Sequence, residues 1–149
     1  MSSDRGEIEN LMARYCRTYD EGDFDAYAEL FRHGDIAGPT GHFKTVSEVA
    51  AYHRRNCVLY GGKPNTRHVI TNIRIDVDAG AVTASAESYV TVYQAAPNFP
   101  LQVILVASYI DTFHKIDGRW WFKNRRAEAH LVGDLSKHAH EYIPATHTA

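Results

Sequence analysis

The chain has 149 residues, 44% of them hydrophobic and 23% charged, with a formal net charge of −2. This is the size and composition of one soluble domain with a sizeable core. The weak negative charge and the lack of a Lys/Arg run argue against nucleic acid as a partner, and no apolar run approaches the roughly 20 residues that span a bilayer.

The opening Met-Ser-Ser-Asp-Arg-Gly-Glu carries no apolar signal core. Cys16 and Cys57 lack metal-ligand spacing, so reduced core thiols in a cytoplasmic protein are expected. Ile8, Leu11, Met12, Tyr15, Cys16 and Tyr19 recur at helical spacing and predict an amphipathic helix over about 4–21. Gly22 can end it and Asp23 can cap a second helix, with Phe24, Tyr27, Ala28 and Phe31 inward. A loop with Gly38, Pro39 and Gly41 follows. Thr45-Val46-Ser47-Glu48 then reads as a capping box opening a third helix to about Asn56, with Val49, Tyr52 and His53 inward.

From Thr66 the texture becomes β, with stretches 66–77, 81–94, 100–116 and 119–130 rich in Val, Ile, Thr and aromatics. Turns at Asp78-Ala79-Gly80 and Asp117-Gly118 predict an antiparallel meander. The Ala95–Pro100 connection is long enough to fold over a pocket mouth. Helices followed by long strands give an α+β fold, here a curved antiparallel sheet wrapped as a cone around its N-terminal helices. A single domain is expected, with its core over about 4–132 and a loose tail from about 143.

Several residues could carry chemistry. Asp20 lies in the last turn of the first helix, on the shoulder of its apolar stripe. Partial burial and the helix dipole would both raise its pKa there, although a solvated acid beside a helix end is the plain alternative. His68 can exchange protons near neutrality, or be a core histidine bonded to backbone. Tyr15 is a core residue by default and a hydrogen-bond donor to substrate otherwise, with Tyr19 as its competitor. Arg126 shares strand parity with Trp120, Phe122 and Asn124, so it faces a pocket or bridges to Asp111 or Glu87; a bulge would exchange it for Arg125. Tyr52, Tyr89, Tyr109, Phe113, Trp120 and Phe122 are the aromatic candidates for a pocket wall. Lys137-His138-Ala139-His140 lacks a partner of ligand spacing, so no metal is expected. Trp121 lies opposite the pocket face, where an exposed Trp would suit a homodimer or homotrimer.

Three fragments carry a family resemblance: Tyr15-Cys16-Arg17-Thr18-Tyr19-Asp20-Glu21-Gly22-Asp23-Phe24, Thr66-Arg67-His68 with Asn72, and Tyr109-x-Asp111-x-Phe113 with Asp117-Gly118-Arg119-Trp120. Together they resemble the nuclear-transport-factor-two-like superfamily, and within it the SnoaL-like group. Tyr15, Asp20 and His68 look most like the sites of small cofactor-free dehydratases, of the bile-acid 7-alpha-dehydratase and scytalone dehydratase types. The scytalone type uses a further His on the following strand, where stretch 81–94 offers Glu87, Tyr89 and Tyr93 instead. The resemblance implies catalysis by Tyr15, Asp20 and His68 on an apolar cyclic small molecule such as a steroid or polyketide, with no cofactor. Tyr19, Tyr52, Tyr89, Tyr109, Phe113, Trp120 and Arg126 would bind it. Isomerase or cyclase chemistry at the same site is the enzymatic alternative. A non-catalytic ligand-binding or assembly domain, like a ring-hydroxylating dioxygenase β subunit, is the other.

Overall fold

The computed structural model describes residues 3–142. Its first element, α1 (Asp4–Asp20), starts where the Ser3 hydroxyl accepts from the Gly6 N–H at 3.0 Å, satisfying an amide that a helix start leaves unpaired. Asp4 ties this end to the sheet, accepting from Lys115 Nζ and Trp120 Nε1, each at 2.9 Å. The predicted stripe from Ile8 to Tyr19 is buried throughout. The helix closes at Gly22 (φ 75°), with the Asp23 N–H donating to Thr18 O and the Gly22 N–H to Tyr19 O, the paired bonds of a Schellman ending. A Cβ at Gly22 would also collide with the Gly62 carbonyl oxygen. Glycine is therefore required there by both conformation and space.

Asp23 caps α2 (Phe24–Glu29) by accepting from the Ala26 N–H. At α3 (Val46–Asn56), Thr45 Oγ1 accepts from the Glu48 N–H while the Glu48 carboxylate accepts from Lys44 N. The capping box thus forms with its return bond one residue early.

The strands are β1 (Asp35–Gly38) and β2 (Gly41–Phe43), between α2 and α3, and β3 (Thr66–Val77), β4 (Thr83–Ala96), β5 (Phe99–Ile116) and β6 (Arg119–Val132), after α3. They form one sheet in the order β2-β1-β6-β5-β4-β3. The last four are the antiparallel meander read from the sequence. Two expectations are corrected. Residues 35–43 are not simply loop, because β1 pairs parallel to β6 and makes the sheet mixed. Gly34 admits it: a Cβ there would strike the Phe122 and Lys123 carbonyl oxygens. The Ala95–Pro100 stretch does not cover a pocket mouth, since Ala96 pairs with Phe99 across a two-residue turn at Pro97-Asn98.

The curved sheet stays unclosed, with α1 against β3 and β6 and α2 against α3. After β6 the chain returns to α3. The Val58 N–H donates to His138 O, the His140 N–H donates to Asn56 O, and Leu135 is buried. The tail expected from 143 lies outside the described residues. No described helix is long and apolar enough to cross a membrane.

Candidate active site

The end of α1 and the start of β3 bring Asp20 and His68 together. His68 Nδ1 lies 2.7 Å from Asp20 Oδ1, the His68 N–H donates to Oδ2 at 3.0 Å, and Thr66 Oγ1 donates to Oδ1 at 2.8 Å. Burial alone would raise the Asp20 carboxyl, but the hydrogen bonds and charge of His68, with the Thr66 hydroxyl, outweigh it. The carboxyl is therefore held below its ordinary range, and the expected upward shift is reversed. An ionised carboxylate only accepts hydrogen bonds. His68 Nδ1 thus donates to Asp20 Oδ1.

This pair lines a hollow of about 570 Å³ between α1 and β3, with Met12, Cys16, Arg17, Arg67 and Ile70 among its walls. That volume falls in the range of small-molecule pockets. Arg17 and Arg67 are exposed, so the hollow reaches solvent. Burial pushes the Cys16 thiol up to about 12, which leaves it protonated and a poor nucleophile.

A second hollow, of about 180 Å³, lies on the other side of Tyr19. It is lined by Tyr52, His53, Asn56, Leu135 and His138 as well as Tyr19. The Tyr19 ring separates the two, with ring centroids 5.0 Å from His68 and 5.8 Å from His138. Burial, reinforced by the charge of His68, lowers His53 to about 4 and His138 to about 3. Among the described residues no cluster of His, Cys, Asp and Glu is placed to hold a metal.

Several residues sit elsewhere than expected. Tyr15 lines neither hollow; its hydroxyl accepts from Tyr27 at 2.9 Å inside the core, and burial raises its pKa. Arg126 is outward-facing and paired with Glu128 at 3.2 Å. Arg125 takes the inward place, bidentate on Asp111 at 2.8 Å, with its guanidinium over the Tyr15 and Tyr109 rings. The cause is a bulge: Thr112 pairs with Asn124 but Phe113 with Phe122, so Lys123 is an extra residue that inverts the parity. Tyr109, Phe113 and Phe122 are core residues beside this ion pair rather than pocket wall. Tyr89 is 53% exposed on the convex face. Trp120 is buried at the start of α1, bonded to Asp4. Trp121 is buried rather than exposed, packed on His33 and under Arg119, which removes it as a surface for self-association. Of the expected wall residues, Tyr19 and Tyr52 line the second hollow. Arg17 and Arg67 went unnoticed in the sequence, although Arg17 is one helical turn before Asp20 and Arg67 adjoins His68. Spacing from the carboxylate, rather than from the aromatic stripe, would have found them.

The sequence pattern of the SnoaL-like domain matches residues 1–126, and the chain belongs to that family. No curated protein matches it. Among solved structures it is similar to a cystatin-like-fold protein of unknown function from Nostoc punctiforme (26% identity, TM-score 0.74, covering 91% of this chain and 97% of that one). It is also similar to an NTF2-like protein with a cystatin-like fold from Novosphingobium aromaticivorans (23% identity, TM-score 0.71, 85% and 81% covered). A third, from the same organism, is provisionally designated a scytalone dehydratase (22% identity, TM-score 0.71, 93% and 88% covered). At these identities the last two likenesses concern the fold.

Proposed function

We propose that the chain is a cofactor-independent lyase that removes water from a hydroxylated cyclic compound of steroid or polyketide type held in the 570 Å³ hollow. The observation that carries this reading is the 2.7 Å Asp20–His68 contact at that hollow's wall. His68 Nε2 takes the proton alpha to a carbonyl, and the C–H electrons pass into an enolate. Asp20 remains ionised and holds the imidazole in one tautomer and orientation, the logic of a base fixed by a third group. The imidazolium then returns the proton to the departing β-hydroxyl as the carbon–carbon double bond forms. Water is the net loss.

A developing enolate oxygen needs a donor. Tyr15 and Arg126 do not reach the hollow, so Arg17 and Arg67 at its walls take that role here. The scytalone dehydratase designation of one structural neighbour agrees with dehydration but rests on fold.

The test is incubation with a panel of hydroxylated steroids and aromatic polyketides, read by product mass. The native chain is expected to give a product lighter by one water, and His68→Ala to lose turnover by at least about a hundredfold with its circular dichroism unchanged. Near-native turnover by His68→Ala would remove the imidazole from the mechanism. A product of unchanged mass would reassign the same site to isomerisation or cyclisation.

A further inference from the structure

The larger hollow, between α1 and β3, holds positive charge that the chain itself leaves unpaired. Glu9, Asp20 and Glu21 line it together with Arg17 and Arg67. Each of the carboxylates already has partners within the chain. Glu9 pairs with Arg5 at 3.1 Å, Glu21 pairs with Lys63 at 2.9 Å, and Asp20 accepts from Thr66 and His68. Lys63, and more weakly the Arg67 charge, hold Glu21 below its ordinary range.

The guanidinium groups are not matched in the same way. Among the described residues Arg17 makes no ion pair and no side-chain hydrogen bond. Its place in the last turn of α1 favours a cation, yet that effect uses none of its N–H groups. Arg67 Nη1 donates to the Thr66 carbonyl at 2.8 Å, a neutral acceptor that orients the guanidinium without balancing its charge. Met12, Cys16, Val69, Ile70 and Ile73 give much of the remaining lining an apolar character. An uncharged guest would leave two like charges facing one hollow. A carboxylate would neutralise them, since its two oxygens fit the planar fork of a guanidinium.

We infer that the larger hollow takes its substrate as an anion, with an ionised carboxylate paired to Arg17 and Arg67 and the ring body against Met12, Ile70 and Ile73. The inference rests on this hollow being the substrate site proposed above, and it narrows the substrate to a hydroxylated cyclic acid. A guanidinium carries several N–H donors, and Thr66 engages only one of those on Arg67. The two arginines can therefore hold the carboxylate and still meet the enolate oxygen. They select the substrate, while His68 moves the proton.

The test uses β-naphthoate and β-naphthamide, nearly equal in shape and differing in charge. Their affinities for the full chain are measured by calorimetric titration at low salt, and the site is located by methyl NMR. Shifts are expected at the Met12 and Ile70 methyls, not at Ala107 and Leu135 of the second hollow. Naphthoate is expected to bind about tenfold more tightly, the scale of one hydrogen bond to a charged group. That preference should shrink as salt is raised, because both arginines are exposed. Arg17→Gln and Arg67→Gln should each reduce it and the double variant should abolish it, with circular dichroism unchanged. Replacing both arginines by Lys should keep part of it, because the charge remains and the fork is lost. Equal affinities in the native chain, a preference that survives the double Gln variant or high salt, shifts confined to the second hollow, or no saturable binding of naphthoate would each overturn the inference. Turnover is not read in this titration. A substrate panel that gives no dehydrated product would remove the lyase and leave the anion preference standing, whereas equal affinities would remove the preference and leave the lyase.

Discussion

Asp20 concentrates the physical argument at the residue scale. Three donors converge on one carboxylate, the Thr66 hydroxyl and both the backbone and ring N–H of His68. They outweigh the desolvation that would otherwise neutralise it. Asp20→Asn keeps the shape but turns one acceptor oxygen into a donor facing donors. The expected loss is about 1–3 kcal/mol of stability at neutral pH, measured by urea denaturation. The pH dependence has a definite sign. The folded carboxyl is lowered, so its stabilisation is complete above the unfolded value of about 3.9 and disappears as pH falls through the folded one. The Asn variant should lack that acid limb; an unaltered limb would mean other carboxylates produce it. Asp20 and His68 were singled out by the family resemblance, because spacing alone reads equally well as a solvated acid at a helix end and a core histidine bonded to backbone. Tyr15 was misplaced by simple helix geometry. Five residues at 3.6 per turn set Tyr15 about 140° from Asp20, whereas Cys16 and Arg17 lie within about 60° of it. The stripe facing the core and the stripe facing the hollow are neighbours, not the same face.

At the scale of elements, period and capping were readable and pairing was not. The three helices and four long strands follow from apolar spacing, Asp23, Thr45 and the turn glycines. The pairing of β1 to β6 is parallel and nonlocal, and its segment is short and glycine-rich, so no local pattern announces it. The Lys123 bulge is equally silent in sequence and decides which arginine is buried. That choice has energetic weight. Arg125 and Asp111 are both fully buried, with side-chain exposures of 0% and 0%, and removing one partner from such a pair leaves an uncompensated charge. Asp111→Ala is expected to destabilise by about 3–5 kcal/mol, a large share of the roughly 5–15 kcal/mol that holds a domain together. Replacing the pair together, Arg125→Met with Asp111→Leu, should recover most of that loss in urea melts, because the guanidinium already lies among the Tyr15, Tyr109 and Phe122 rings. If the double variant were as unstable as the single, the ion pair would be worth more than its desolvation.

For the molecule as a whole, the return of residues 134–142 to α3 ties the segment after the sheet to the helical layer. It also buries imidazoles that an unfolded chain would leave wet. His53 sits at about 4 and His138 at about 3 when folded, against about 6.5 for an unperturbed imidazole. The unfolded chain therefore takes up protons first as pH drops. Stability is full above about pH 6.5 and declines as pH falls toward the folded values, by on the order of 1–2 kcal/mol per imidazole at pH 5. The urea midpoint is expected to fall between pH 7 and pH 5, in a window well above that of Asp20. His138→Phe should flatten part of this decline, since a ring of similar size carries no proton. Proteolysis after residue 132 should become faster in the same window for the native chain and not for the variant, because protonating His138 favours release of the strap it anchors. A decline identical in both would assign the titration to His53 and the helical layer instead.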